Sequence, residues 1–373
     1  MKRNAKTTFD VGIIFFLFCA FSFLPLPTIA ASTATVTVGG MPWAIAVTPD
    51  GKYAYVPNGN NVSAIDLATN KVTATINING SNGVAITPNS EYAYITSSAQ
   101  ESNLVSVVNI ASNKVIETIT LDGNPSGITI SPNGEFAYVS ASTIIGTNSV
   151  GMVCVINAAS NKVVKTITVE SSPNALVIAP NGEYAYVANG GSSSVSAINT
   201  KTCEVIAAII VGMNPDGVAI TSDGAYVYVT NLAGNSVSVI STATNTVTAT
   251  ITGVTNPNGI ALTPNNQYAY VTNGMSNSVS VISTVSKEVN STIIVGTTPY
   301  SIVFTPDGQY ACVTNLLDGT VSVIDTRNNS VLTSNPASSG SESPYQTLII
   351  LALILTILAP IVLFAVRHAK KKN

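Results

Sequence analysis

Residues that could do acid, base or nucleophilic chemistry are few in this chain, and they lie far apart. The only histidine is His368, close to the C-terminus. No histidine is left in the rest of the chain. We therefore exclude histidine-based general acid/base catalysis, Ser-His-Asp and Cys-His nucleophiles, and zinc sites that contain histidine. We predict no catalytic residue, no metal site and no cofactor.

The cysteines do not form a pattern that predicts disulfides. Cys19 lies in an apolar N-terminal stretch, which leaves Cys154, Cys203 and Cys312. Three is an odd number, and no two of them occupy matching positions in adjacent repeats of the sequence. We interpret them as isolated small apolar residues rather than as a disulfide or a reactive thiol.

Carboxylates are the remaining candidates for chemistry, and most of them fall at predicted turns. An Asp side chain at such a position commonly accepts hydrogen bonds from nearby backbone N–H groups, which is a structural role. None of them lies in a calcium loop of the D-x-D-x-D-G type. A carboxylate-based calcium site or acid/base pair stays open at this level. The turn residues are Asp50, Asp66, Asp223, Asp307 and Asp325.

The charge of the chain limits its partners. Residues 31–345 contain eight Lys and Arg against 17 Asp and Glu, a formal net charge of −9. Charged residues make up only 9% of the whole chain, against about 25% in ordinary globular proteins. A sparsely charged, acidic surface is a poor match for phosphates, so nucleic acid is excluded as a partner.

The elements that must position these residues are set by a motif that occurs seven times. Each copy contains a turn that follows the Pro-Asn/Asp-Gly theme, with variants such as Ser222-Asp223-Gly224, and then a pair of residues two positions apart that are both aromatic in every copy except the last; successive copies start 39, 44, 48, 42, 42 and 42 residues apart. A period near 42 with short alternating apolar runs predicts four-stranded blades, strands a to d, of an all-β seven-bladed propeller with antiparallel sheets. The pairs are Tyr53/Tyr55, Tyr92/Tyr94, Phe136/Tyr138, Tyr184/Tyr186, Tyr226/Tyr228, Tyr268/Tyr270 and Tyr310/Cys312.

The two ends of the repeat region predict how the ring closes. Residues 33–38 match strand d of other copies but have no strands a, b and c of their own, whereas the seventh copy has only a short Ser330-Val-Leu-Thr333 in place of strand d. We therefore expect the N-terminal strand to complete blade seven and to remove the open edges. An open end-to-end solenoid is the alternative.

One position per blade, just after the entry residue of strand a, is predicted to lie where a partner would dock; the entry residue is Pro in every blade except blade two, which has Ser81. Trp43 and Tyr300 belong to blades one and seven, which the closure makes neighbours, so they are expected to form an apolar platform for a sugar ring or an aromatic side chain. Ile144 and Ile145, in a long b–c loop from 141 to 151, share this face and have no evident core to fill. The alternative is that Trp43 plugs the channel and that the blade-three loop folds onto its own blade. The seven positions are Trp43, Asn82, Ser126, Asn174, Asp216, Asn258 and Tyr300.

The segments outside the repeats predict export and anchoring. Residues 1–30 have the basic start, apolar stretch and small-residue end of a signal peptide, and 334–346 read as a Ser/Pro-rich tether after the propeller at 31–333. Residues 347–366 are long enough for one transmembrane helix, and the basic tail 367–373 places the C-terminus in the cytoplasm and the propeller outside. A retained N-terminal anchor and a processed surface-sorting tail are the alternatives.

Export would also make N-glycosylation possible. Asn-x-Ser/Thr sequences in exposed turns are acceptors for glycans in exported proteins. In a chain this rich in Asn, Ser and Thr, such sequences also arise by chance. The candidates are Asn61, Asn79, Asn290 and Asn328.

The end of strand b carries a family resemblance. Tyr228-Val-Thr-Asn231, Tyr270-Val-Thr-Asn273 and Cys312-Val-Thr-Asn315, each in a blade of about 42 residues, resemble the YVTN family of β-propeller repeats over roughly 33–333. Blades two and three depart from the pattern, with Tyr94-Ile-Thr-Ser97 and Tyr138-Val-Ser-Ala141. The resemblance implies a surface-layer or surface-antigen protein and a fold similar to seven-bladed lactonases and to the propeller of haem d1 nitrite reductases.

Because the tetrapeptide is structural, it implies little about activity. The enzymes of similar fold use His or Arg, and the repeat region has no His and only Arg327, so no active-site residue can be transferred. We expect a membrane-anchored cell-surface propeller that acts by binding or adhesion or as part of the envelope, with an envelope protein or polysaccharide as partner. A surface enzyme of the lactonase type, using carboxylates and a metal, is the alternative.

Overall fold

The structure is a computed structural model that describes residues 35–98, 103–145 and 148–332. These residues form seven antiparallel sheets, six of four strands and one whose outer position is shared by two short strands. The predicted all-β, seven-bladed propeller is thus confirmed. The predicted signal, tether, transmembrane segment and tail lie outside the described residues. No helix within the described ranges is long and apolar enough to cross a membrane.

Each blade runs from strand a at the centre of the ring to strand d at its outer edge, and the seven a strands contact one another in a closed circle. The a strands are Ala46–Val47, Ser81–Ile86, Asn124–Ile130, Pro173–Ile178, Pro215–Ile220, Pro257–Leu262 and Pro299–Phe304. The b strands are Tyr53–Pro57, Tyr92–Ser97, Phe136–Ile145, Tyr184–Asn189, Tyr226–Asn231, Tyr268–Asn273 and Tyr310–Asn315. The c strands are Asn61–Asp66, Leu104–Asn109, Asn148–Asn157, Ser194–Asn199, Ser236–Ser241, Ser278–Ser283 and Thr320–Asp325. The d strands of blades one to six are Lys71–Asn77, Lys114–Thr120, Lys162–Val169, Glu204–Ile210, Thr246–Ile251 and Val289–Ile294, and blade seven has Ser330–Val331 and Thr35–Thr37 at this place.

The core lies between blades rather than within them. Strands b and c are buried on both faces and carry apolar residues or small Ser and Thr side chains, whereas strand d alternates exposed and covered residues. One apolar cluster, for example, joins Tyr94 and Val105 of blade two to Val139 and Cys154 of blade three. A sheet with two apolar faces must be covered on both sides, so every blade needs both neighbours.

A hydrogen bond from a buried tyrosine links most neighbouring blades. The hydroxyl of Tyr55, in strand b of blade one, donates to Oδ1 of Asn113 in the c–d turn of blade two at 2.7 Å. Asn113 has a left-handed backbone with φ of 52°, a conformation that Asn tolerates better than most residues. Burial raises the pKa of Tyr55 to about 12, so the phenol stays a neutral donor. The same bond joins Tyr94 to Asn161, Tyr186 to Asn245 and Tyr270 to Asn329.

Three of the seven blade contacts depart from this pattern. Lys287 takes the place of Asn in blade six, and its Nζ donates to the Tyr228 hydroxyl at 2.5 Å. Cys203 takes that place in blade four, beside Tyr138. Between blades seven and one the tyrosine itself is missing, because Cys312 stands in its position. The contact that closes the ring therefore lacks the tyrosine bond.

The closure is instead provided by strands from both ends of the repeat region. Thr35–Thr37 pairs antiparallel with Thr320–Asp325, with Val36 opposite Val321, and Val36 joins an apolar cluster shared by blades seven and one. The predicted closure by the N-terminal strand is confirmed. Ser330–Val331 pairs with the other half of the same c strand. The two segments meet at the position where the c–d pairing of all six other blades has a β-bulge.

The predicted turn carboxylates have structural roles. The hydroxyl of Thr48 donates to Asp50 at 2.6 Å, and the backbone N–H of Lys52 also donates to this carboxylate. These hydrogen bonds, above all that of Thr48, lower the pKa of Asp50. The other four carboxylates accept hydrogen bonds from residues two or three positions away, namely Asp66 from Thr69, Asp223 from Thr221, Asp307 from Thr305 and Asp325 from Arg327.

The cysteines and the blade-three loop complete the comparison with the sequence. Cys154, Cys203 and Cys312 are free, as predicted, and burial raises the pKa of Cys154 to about 11.

The prediction that residues 141–151 form a b–c loop was wrong. Strands b and c of blade three continue through it as a hairpin, with Thr143 opposite Val150, because the β-branched residues of this stretch favour extended strands.

The closure model makes a prediction about Val36. Val36→Asp buries a charge in the cluster between blades seven and one, and we expect it to cost about 3 kcal/mol of unfolding free energy. Thr37→Asp, on the exposed side of the same strand, is the matched control and should melt like the parent. Thermal unfolding measures both. Equal melting temperatures for the two variants would contradict closure by this strand.

The tyrosine bond makes a second prediction. Tyr186→Phe removes the donor to Asn245 and should cost about 1 kcal/mol. Tyr138→Phe is the control, because within the described residues the Tyr138 hydroxyl has no hydrogen-bond partner, so its loss should change stability little. Urea unfolding midpoints compare the two. A Tyr138→Phe effect as large as that of Tyr186→Phe would show that the bond does not stabilise the ring.

Candidate binding site at the mouth of the central channel

The d–a turns and the b–c turns share one face of the ring, which we call the upper face. Backbone hydrogen bonds connect the two kinds of turn directly. Gly59 N–H donates to Ser81 O at 3.1 Å in blades one and two, and Gly190 N–H donates to Ser172 O at 2.8 Å in blade four. The a–b and c–d turns lie on the opposite, lower face. The residues just after the entry residue of strand a are thus held around the upper end of the channel.

A cavity of about 540 Å³ opens at this end of the channel. Its volume is in the range of small-molecule sites. All seven residues singled out in the sequence line it: Trp43, Asn82, Ser126, Asn174, Asp216, Asn258 and Tyr300. Ile144 does not line it and is 78% exposed at the end of the blade-three hairpin. Ile145 ends the same strand, and its side chain lies outside the described part of the structure.

The side chains from blades two, four and six join one blade to the next. Each is an Asn whose Nδ2 donates to the backbone carbonyl of the Pro that starts strand a of the following blade. Asn82 reaches Pro125 O at 3.1 Å, Asn174 reaches Pro215 O at 3.1 Å, and Asn258 reaches Pro299 O at 3.3 Å. We call these three residues the asparagine clasps. These hydrogen bonds explain why Asn occupies the three positions, and no ligand is needed to explain it.

The side chains from the odd-numbered blades differ from the clasps. Trp43, Ser126, Asp216 and Tyr300 line the cavity, and none of them makes a side-chain hydrogen bond to any described residue. Polar atoms inside a protein are usually paired. These four groups therefore offer an indole N–H, two hydroxyls and a carboxylate to whatever enters the cavity.

The two aromatic residues meet across the seam between blades seven and one. The ring centroids of Trp43 and Tyr300 are 5.3 Å apart, and the ring planes are at 89°. This is an edge-to-face contact, a favoured geometry for aromatic pairs, so the two rings form a corner rather than a flat platform. Trp43 is half-buried on the cavity wall and leaves the cavity open beside it.

Asp216 dominates the electrostatics of the cavity. Among the described residues of the lining it is the only charged one, and they include no Lys or Arg. Burial raises the pKa of its carboxyl to about 6. The charge of Asp216, followed by burial, raises the pKa of Tyr300 well above its usual value, so the two groups act on the same space. At neutral pH the cavity therefore holds one uncompensated negative charge.

Other predicted residues lie away from this cavity. Asn79, Asn290 and Asn328 are exposed, whereas Asn61 is half-buried and its side-chain oxygen accepts a hydrogen bond from Asn58 at 2.8 Å. Within the described ranges no three His, Cys, Asp or Glu residues are close enough to hold a metal ion. The sequence analysis missed the exposed apolar residues on the upper-face turns, Met41, Met213, Met275 and Leu317; their position in turns was the signal that could have revealed them.

The position of Asp216 predicts a stabilising substitution. Asp216→Asn removes a half-buried charge and supplies an amide that can clasp Pro257 O of blade six, so we expect a gain of about 1 kcal/mol at pH 8. The raised pKa means that Asp216 reduces stability as pH rises from about 4 to 6, so the gain should shrink at pH 4. Thermal unfolding at the two pH values measures it.

Asp50→Asn is the control for this prediction, because blades two, three, four and six carry Asn at the equivalent turn position. It should leave the melting temperature nearly unchanged at pH 8. A lower melting temperature for Asp216→Asn at pH 8 would mean that the carboxylate, rather than an amide, stabilises the ring.

Comparisons with known proteins agree with the fold. A family model described as YNCE-like beta-propeller matches residues 213–341, which include blades five to seven and amount to about a third of the chain. No curated protein matches. A solved structure of hydrazine synthase from Kuenenia stuttgartiensis is similar with a TM-score of 0.69 and 25% sequence identity, over 81% of this chain and 99% of that one. With its seven blades, this chain is a β-propeller repeat protein.

Proposed function

We propose that this protein is a non-catalytic binding module whose partner docks on the upper face, over the central cavity. The observation that carries the proposal is the convergence of four unpaired side chains, Trp43, Ser126, Asp216 and Tyr300, on one cavity. At the equivalent position of blades two, four and six the clasps join neighbouring blades, whereas these four side chains make no hydrogen bond to a described residue. An aromatic corner beside polar groups is typical of ligand sites.

The surroundings of the cavity favour a protein as the partner. Single exposed apolar residues are normal, but here several occupy turns of one face around one opening, which is typical of interaction surfaces. Methionine adapts its shape to a partner. A cell-envelope protein fits this surface better than a polysaccharide, which would contact polar turns. The exposed apolar residues of the upper face are Met41, Ile144, Met213, Met275 and Leu317.

We also propose that the propeller is displayed outside the cell on a single-pass anchor. The supporting observations are the signal-like 1–30, the uncharged 347–366 and the basic 367–373 in the sequence. The YVTN-like repeats are consistent with this placement. Protease added to intact cells should remove the propeller and leave a small membrane fragment. Protection of the propeller until lysis would reverse the topology.

Docking on the upper face predicts the effect of removing the aromatic corner. In the full-length protein, replacement of both Trp43 and Tyr300 by Ala should reduce retention of the partner at least tenfold, because the pocket loses its apolar wall. Ile144→Ser tests the hairpin separately. Tyr226→Ala, an exposed aromatic at the lower face, is the control and should retain the partner. The measurement is capture of purified envelope proteins and polysaccharide, with melting temperatures recorded in parallel.

Two outcomes would contradict this proposal. Lost stability with unchanged capture would make Trp43 and Tyr300 structural residues. Hydrolysis of a panel of lactones, dependent on added Ca²⁺ and lost in the double variant, would make the cavity an active site instead.

A further inference from the structure

We infer that the central cavity binds an alkylammonium group, held between the aromatic corner of Trp43 and Tyr300 and the carboxylate of Asp216. This inference rests on the proposed function and names the class of ligand for the same site. Three independent features of the cavity lead to it: its uncompensated charge, its aromatic wall and its size.

The first feature is the negative charge of Asp216. Asp216 faces the cavity without an ion pair or hydrogen bond to any described residue, and within the described lining the only other titratable group is Tyr300, which is neutral at physiological pH. A carboxylate in such a place reduces stability unless a cation approaches it. The ring gains nothing from it, because the equivalent position in blades two, four and six carries an Asn that clasps the next blade. A bound cation supplies the missing partner.

The aromatic wall determines what kind of cation fits. Trp and Tyr rings attract ammonium groups through their electron-rich faces, and Trp does so most strongly. Because the two rings are nearly perpendicular, they enclose a ligand from two directions. A Ca²⁺ ion would need six to eight oxygen ligands and is usually held by several carboxylates, whereas the described lining contains one carboxylate, that of Asp216. An organic cation with an alkyl chain uses the rings and the carboxylate together.

The volume of the cavity and the negative net charge of the propeller agree with an alkylammonium ligand. A cavity of about 540 Å³ is far larger than a bare ion needs and accepts a chain of several carbon atoms. Residues 31–345 carry a formal charge of −9, which attracts cations and repels anions at a distance. The ammonium could belong to a lysine side chain of a partner protein or to a free polyamine, since both present the same chemistry.

The protein contains an intrinsic fluorescent probe that can test for ligand binding in the cavity. Trp43 is the only tryptophan, so the intrinsic fluorescence of the full-length protein reports directly on the cavity. Titration with n-butylammonium at pH 8 should change the emission saturably, whereas n-butanol and butyrate should have little effect. Asp216→Asn, which is expected to fold and to be more stable, should weaken n-butylammonium binding at least tenfold. Binding to the parent should also fall below pH 5, where the carboxyl is protonated and the probe keeps its charge.

Matched variants and ligands separate the outcomes. Asp50→Asn, on the lower face, should bind n-butylammonium like the parent. An acetylated and amidated Gly-Lys-Gly peptide is compared with its Nζ-acetylated form and with spermidine. Preference for the unmodified peptide identifies a protein lysine as the source of the ammonium, and preference for spermidine identifies a polyamine; either supports the inference.

Two results would overturn the inference in distinguishable ways. If n-butanol binds as well as n-butylammonium, or Asp216→Asn binds n-butylammonium like the parent, the cavity binds a neutral ligand and the ammonium assignment is wrong, while the proposed function stands. If no probe changes Trp43 fluorescence and the Trp43/Tyr300 double variant also retains the envelope partner, both the ligand class and the proposed function are wrong.

Discussion

The packing of each blade against the next is the interaction on which the rest of the structure depends. A single sheet of this sequence has two apolar faces, and only neighbouring sheets can cover both. The buried tyrosine of strand b also orients neighbouring blades, because its hydroxyl donates a hydrogen bond to the c–d turn of the following blade. Both faces of all seven blades are covered only if the ring closes, and the tyrosine bond adds to this packing at four of the seven contacts. The channel, its cavity and the two faces are consequences of that closure.

Much of this could be predicted from the sequence, and the part that could not depends on contacts between distant residues. The spacing of the aromatic pairs specifies the number of blades, and the incomplete seventh copy indicates that the N-terminal strand fills its outer position. The aligned residues just after each entry residue also identify the side chains around the cavity. The difference between Asn82, which clasps Pro125, and Asp216, which clasps nothing, requires the positions of the next blade. The blade-three hairpin was mistaken for a loop because a long insertion with Gly and Asn resembles one, whereas its cross-strand pairs appear only in the fold.

The cavity shows how a repeat protein can carry a site without losing its symmetry. The position just after the entry residue of strand a has two uses in this ring: it carries a clasp in blades two, four and six and a different side chain in blades one, three, five and seven. The three Asn residues hold neighbouring blades together, and the four residues between them are free to differ. Trp43, Ser126, Asp216 and Tyr300 are consequently four chemically different side chains at equivalent positions around the central channel. Asp216 is less favourable for folding than the amide that its neighbours carry, and a cost of this kind is common at functional sites.

The divided outer strand of blade seven has a mechanical consequence. The chain beyond Leu332 continues from Ser330–Val331, which pairs with only two residues of strand c, whereas the ring is closed by Thr35–Thr37 on the other half of that strand. A pull on the C-terminal side therefore loads the short segment first. Its two pairs can be peeled away one after the other while those of Thr35–Thr37 stay intact. We therefore expect tension on the C-terminal side to release Ser330–Val331 before the strand that closes the ring.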